Sequence, residues 1–124
     1  DLHIEAHSFP TRRSSDLTRI VHVAEVLADM NYAGADVLKF ACLAHSATDA
    51  ARVLAAQAWA REAYDRPIIG IAMGQHGAPT RLVGSALGSA ATFATLPGWE
   101  GSAPGQFTVE QVRAVLDIVE ASED

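Results

Sequence analysis

One lysine within an apolar run carries the plainest chemical meaning in this sequence. The run is Ala35-Asp36-Val37-Leu38-Lys39-Phe40-Ala41-Cys42-Leu43-Ala44, with Lys39 in its middle. Its length and its Val, Phe and Cys content suit a buried β-strand. A charged amine inside such a strand is costly unless it is paired or used. Burial favours the neutral form of an amine, and a neutral amine is a nucleophile toward a carbonyl carbon. The competing structural reading is an edge strand, or a lysine whose stem follows the sheet while its head reaches solvent.

Histidine supplies proton transfer near neutral pH, and the chain has five: His3, His7, His22, His45 and His76. His22 falls in a helical pattern and reads as a surface or partly packed residue. His45 directly follows the lysine run, and His76 lies in a loop. His3, Glu5 and His7 alternate and fall on one side of a short strand, a set able to bind zinc. No fourth ligand or supporting motif follows, so no metal is expected. The glycine-rich dinucleotide fingerprint is absent: Gly84 and Gly88 have the wrong spacing, and Gln75 follows Met73-Gly74. A phosphate-loop lysine motif is absent too, so a nucleotide cofactor is not expected.

These residues need elements to hold them. Ile20, Val23, Val26, Leu27 and Met30 recur at three and four residues, one face of a helix that Asn31 and Gly34 stop. The lysine strand follows over residues 36–44. Ser46 with Asp49 predicts a capped helix running through Val53, Leu54, Ala58 and Trp59 to about Tyr64. Ile68 to Gly74 is a second strand, apolar on both faces as in a parallel sheet. Pro79 or Thr80 opens a short helix with Arg81, Leu82, Val83 and Leu87, where Gly84 and Gly88 would admit a neighbouring backbone. Residues 89–96 read as a third strand and 97–106 as a long loop of the kind that carries function. Thr108 caps the last helix with Gln111 in the reciprocal position. Its expected buried face is Val109, Val112, Leu116 and Val119, widened by Val115 and Ile118. Helices alternating with continuous apolar strands predict an α/β architecture, either part of an eight-stranded barrel or a small doubly wound sheet.

The chain has 124 residues, a net charge of −6 and 49% hydrophobic residues, enough for one domain or part of one with a core. The acidic balance argues against nucleic acid or an anionic membrane as a partner. No apolar run reaches the roughly 18 residues of a membrane span. The single cysteine, Cys42, excludes an internal disulfide and suits a reducing compartment. With no signal-peptide pattern at its start, the chain is expected to be cytoplasmic. It opens without methionine, as a fragment would.

Residues 1–17 read unlike the rest. They show no helical period, and Pro10 with the Ser/Arg cluster predicts loop. Phe9 to Leu17 resembles the in-frame translation of a common sequencing-adapter oligonucleotide. We therefore expect residues 1–17 to be a non-native tail and residues 18–124 to be the domain.

Residues 35–41 resemble the Schiff-base strand of type I 3-dehydroquinate dehydratase. Four more segments resemble that family in order: Pro67-Ile68-Ile69-Gly70-Ile71-Ala72-Met73-Gly74, Thr80-Arg81-Leu82-Val83-Gly84, Gly88-Ser89-Ala90-Ala91-Thr92-Phe93 and Ser102-Ala103-Pro104-Gly105-Gln106. The resemblance implies the C-terminal portion of a (β/α)8 barrel, with three parallel strands and four helices over residues 18–124. It implies dehydration of 3-dehydroquinate to 3-dehydroshikimate, in the shikimate route to aromatic compounds, without metal or organic cofactor. Lys39 matches the imine-forming lysine. Arg81 matches the arginine that holds the substrate carboxylate, Ser102 and Gln106 match contacts from the covering loop, and Met73 lies in the strand that walls the pocket. The resemblance leaves open a homodimeric full-length parent.

Two departures qualify it. The family's acid–base histidine should lie on the preceding strand, a little under thirty residues before Lys39, which falls near Arg12. His7 is the nearest histidine, and its neighbours do not match. His45 occupies a position the family does not use for base chemistry, and Gln75-His76 alters a loop of the family, where His76 either decorates the loop or touches substrate. The family barrel is also about twice this chain's length. A catalytically inactive barrel fragment, or another imine-forming barrel lyase or aldolase, are the alternative readings.

Overall fold

The computed structural model describes residues 2–6, 12–14, 20–99 and 106–121. In chain order the elements are β1 (Leu2–Ala6), β2 (Arg12–Ser14), α1 (Ile20–Tyr32), β3 (Leu38–Leu43), α2 (Ala47–Ala63), β4 (Ile68–Met73), α3 (Thr80–Val83) with a 3-10 turn over Gly84–Leu87, β5 (Ala94–Thr95), β6 (Phe107–Thr108) and α4 (Val109–Ala121). This is an α/β fold. β3 and β4 run parallel in the register Leu38–Ile68 through Leu43–Met73, with α2 as the crossover between them.

Alternation along the strands divides the sheet into two faces. Leu38, Phe40 and Cys42 of β3, with Ile68 and Ala72 of β4, are buried under the helices. Val23, Val26, Leu27 and Met30 of α1 and Ala50, Val53, Ala56 and Ala60 of α2 complete that core. Burying each larger apolar side chain contributes roughly 1.5–3 kcal/mol, more than helix propensity supplies. The opposite face carries Lys39, Ala41 and Leu43 beside Ile69, Ile71 and Met73, and most of these are half-buried.

Local chemistry fixes the ends. Ser46 Oγ accepts from Asp49 N at 3.1 Å, while Asp49 Oδ2 accepts from His45 N at 2.9 Å, one residue earlier than the reciprocal box predicts. Thr108 and Gln111 cap α4 reciprocally, at 3.0 and 3.2 Å. The lysine strand is pinned at both ends, by Leu38 N to Pro67 O at 2.9 Å and Ala44 N to Met73 O at 3.0 Å.

Several expectations need correction. Residues 12–14, in the Ser/Arg cluster expected as loop, are a strand, and residues 2–6 form a second strand where His3 and Glu5 alternate. The sheet order is β2-β1-β3-β4, and β1 lies antiparallel against β3. The apolar alternation Leu2, Ile4, Ala6 is the period-two signal that supports it. The third strand is shorter than expected: only Ala94–Thr95 is strand, and it pairs in parallel with β6 rather than with β4. One rung, Ala90 N to Ile68 O at 2.7 Å, still joins residues 89–93 to the edge of β4. In α4 only Val112 of the expected face is buried; Leu116 and Val119 are half-buried, Val109 is exposed and Ile118 is 71% exposed. Gly84 meets ordinary neighbours, whereas Gly88 holds φ 100° with the Arg61 side chain, not a backbone, against it. On α2, Trp59 is exposed, and its ring meets Tyr64 edge-on at 5.8 Å.

The turn after β4 depends on a bare Cα. A Cβ at Gly77 would press into the Ala72 carbonyl, and a backbone atom cannot swing aside. Gly77→Ala is therefore expected to destabilise the fold by about 1–3 kcal/mol, the usual cost of overpacking. The shift in urea midpoint at constant m measures it; an unchanged midpoint would show that this turn is free to relax.

Candidate active site

Lys39 projects from the centre of β3 on the sheet face opposite the helix-covered core, where it is half-buried. Its Nζ lies 5.1 Å from the centroid of the Phe93 ring. An ammonium over an aromatic face gains about 0.5–1 kcal/mol at a partly exposed site, and Phe93 is 41% exposed. Phe93 therefore orients the amine without sealing it. Sequence reasoning quoted Phe93 only as part of a segment; its proximity to Lys39 depends on how residues 89–93 return to the sheet.

Arg81 is the second residue of α3 and is 7% exposed. Its Nε finds no acceptor among the described residues. Burial pushes the guanidinium below its ordinary pKa, because desolvation disfavours the charged form; a guanidinium remains charged at neutral pH all the same. Thr92 Oγ1 donates to the Arg81 carbonyl at 3.0 Å. The dipeptide Thr92-Phe93 thus touches the arginine segment with one residue and the lysine with the next. Residues 92–93 thereby link the Arg81 backbone to the Lys39 side chain. A buried guanidinium can take a carboxylate in a planar fork, and a lysine amine can add to a carbonyl carbon.

The remaining candidates separate. Met73 is half-buried and pairs in register with Leu43. Gln106 is half-buried just before β6. Ser102 lies outside the described residues. Cys42 is 2% exposed and its thiol is pushed up to about 12 by burial, so it is a small hydrophobe and not a nucleophile. His45 and His76 are exposed and His22 is half-buried. His7 lies outside the described residues. His3 stands opposite Ala41, and Glu5 opposite Lys39, in the β1–β3 register. The expected histidine position near Arg12 falls in β2, which β1 separates from the lysine strand. No group of three or more metal-binding side chains occurs among the described residues, and no helix among them is long and apolar enough to cross a membrane.

A lysine strand, a buried arginine after the next strand and a covering segment in this order are the parts that the sequence resemblance names. The family model described as type I 3-dehydroquinase matches residues 4–123. The chain belongs to the type I 3-dehydroquinase family. Its match runs through residues 4–17 as well as through the domain expected at 18–124. The 3-dehydroquinate dehydratase of Neisseria meningitidis serogroup C is 42% identical over 98 residues, 79% of this chain and 38% of that protein. That of Alkaliphilus oremlandii is 38% identical over 120 residues, 94% of this chain and 43% of that protein. Among solved structures, 3-dehydroquinate dehydratase from Geobacillus kaustophilus superposes with a TM-score of 0.72 at 42% identity, over 82% of this chain and 40% of the other. The type I enzyme from Clostridium difficile, with covalently modified comenic acid, gives 0.77 at 31% identity, over 87% and 42%. The chain therefore spans about two-fifths of the length of these 3-dehydroquinase relatives, and its parallel strands and helices match part of the family's barrel.

Proposed function

We propose that residues 18–124 supply the C-terminal part of a (β/α)8 barrel that dehydrates 3-dehydroquinate to 3-dehydroshikimate through an imine on Lys39. The observation that carries this reading is Arg81: a buried guanidinium whose Nε has no protein acceptor among the described residues, on a backbone held by Thr92, the neighbour of the Phe93 that meets Lys39. Leaving a buried donor unsatisfied costs about 1–3 kcal/mol or more for a charged group, a cost that an incoming carboxylate relieves.

The steps follow from elementary chemistry. The neutral Lys39 amine adds to the substrate ketone, and the adduct takes up a proton and loses water to give a protonated imine. That imine draws electrons more strongly than the ketone did, so a proton leaves the adjacent carbon. The electron pair forms the ring double bond as the next carbon expels its hydroxyl, which leaves as water after taking up a proton. Hydrolysis of the imine returns the amine and releases the enone product. Arg81 holds the carboxylate in a planar fork. Ser102 and Gln106 close over the ring and exclude water. Proton transfer at the adjacent carbon needs an acid–base group, which the matched family positions do not supply here. No cofactor enters any step. The relative bound to covalently modified comenic acid supports covalent chemistry in this family.

The test uses a chain in which residues 18–124 are joined to the strands that the relatives possess. Arg81→Ala should cost about 2–5 kcal/mol of transition-state stabilisation, the usual effect of removing one partner of a buried charge pair. Steady-state formation of the enone product from 3-dehydroquinate reads it. Unchanged kcat/KM in that variant would remove Arg81 from substrate recognition and with it the basis of the reading.

A further inference from the structure

Gln57 lies on the buried face of α2 and is fully buried, on a helix whose other buried residues are three alanines and a valine. Its Nε2 donates to Gly84 O at 2.8 Å and to Leu87 O at 3.1 Å. Two carbonyl acceptors fix the amide orientation, because only the amino end can serve both. The two carbonyls belong to the 3-10 turn that directly follows the single-turn helix carrying Arg81. The opposite wall is cut to fit: a Cβ at Gly70 would lie 2.6 Å from Gln57 Oε1 and 3.0 Å from the Phe40 ring. A pocket of about 10 Å³ lies between β4, the arginine helix and residues 89–92.

A buried amide is costly where an apolar side chain of similar volume would fill the same space. Gln57 Oε1 bears part of that cost, since it has no donor among the described residues. What the amide secures is the turn. A four-residue helix cannot hold itself, and the Arg81 side chain is not tethered at Nε. The backbone is held from two sides, by Thr92 on the Arg81 carbonyl and by Gln57 on the two carbonyls beyond it. We propose that Gln57 is a positioning residue for Arg81, a clamp from the helix that follows the lysine strand onto the turn that follows the arginine. It rests on the reading of Arg81 as the carboxylate ligand, but the clamp itself is measurable without substrate.

The variant is Gln57→Met in the 124-residue chain, which keeps volume and removes both donors. Two lost hydrogen bonds, at about 0.5–1.5 kcal/mol each, should raise local opening of the turn by roughly tenfold or more. Hydrogen exchange should therefore accelerate by that factor over residues 80–89, while residues 38–43 and 68–73 change little. The modification rate of Arg81 by phenylglyoxal, mapped by peptide mass spectrometry, should rise similarly relative to the exposed Arg52 and Arg113. Val53→Ala, a cavity on the same helix face, serves as the control for general loosening. Gln57→Met overturns the proposal if residues 80–89 and Arg81 stay as protected as before, or if protection falls evenly over the sheet and the turn as in the cavity variant. Failure of the carboxylate reading would appear instead in the kinetics of Arg81→Ala.

Discussion

Replacing Lys39 with alanine in a completed barrel is expected to remove dehydration almost entirely, on the order of 10⁶-fold in kcat, as when a nucleophile that works within a catalytic unit is deleted. Lys39→Arg should be nearly as inactive. Arginine keeps the positive charge and its contact with the Phe93 ring, yet a guanidinium has no free amine at neutral pH to form the imine. The pair of variants separates nucleophile from charge. Substrate binding through Arg81 should survive both, so KM or an equilibrium dissociation constant should move far less than kcat. Borohydride added with 3-dehydroquinate should leave a reduced adduct on the peptide containing Lys39 in the unsubstituted protein and none in either variant. An active barrel whose adduct maps elsewhere, or a Lys39→Arg protein with substantial turnover, would show that the lysine acts only through its charge.

How far such chemistry is legible in the sequence differs from residue to residue. The place of Lys39 inside a strand was legible because a charge interrupts a run of Val, Leu, Phe, Ala and Cys. The parallel pairing of β3 with β4 was legible because β4 is apolar on both faces, β3 is a largely apolar run and a helical period separates them. Ser46 and Thr108 announced their helices through short-range cap chemistry. Gln57 was not legible. A glutamine on an alanine-rich helix reads as a solvent-facing residue, and only the return of residues 84–87 onto α2 gives its amide two partners thirty residues away. Phe93 was hidden for the same reason. Residues 89–96 carry no strong period, so nothing local announces that only two of them pair as strand. In α4 the periodic valines promised a buried face, but burial depends on the layer opposite, which the helix's own sequence does not encode.

The 124 residues by themselves are expected not to turn over 3-dehydroquinate. Among the described residues the sheet ends at β2 on one side and at β4 on the other, and four strands in that order do not close a barrel. The face bearing Lys39 is therefore bounded by an open sheet, and Phe93 and Trp99, at 41% and 74% exposure, line no closed wall. Exposed strand edges and apolar faces favour association over catalysis. An open site also weakens each electrostatic contact on which the imine pathway relies, because water screens what a dry pocket would concentrate. The strand beside β3 is β1, which runs antiparallel, whereas a barrel places a parallel strand there. The position matched to the acid–base histidine lies near Arg12, beyond β1, and missing general acid–base catalysis alone typically costs roughly 10²–10⁴-fold. These losses multiply. Purified residues 1–124 mixed with 3-dehydroquinate should give no enone absorbance above the buffer rate, and supplying the remaining strands of a relative's barrel on the same chain, with their histidine, should restore it. Turnover by the 124 residues alone at a rate near that of a full-length relative, abolished by Lys39→Ala, would mean that this half-sheet already assembles a competent site, with two or more copies closing the wall that one copy leaves open.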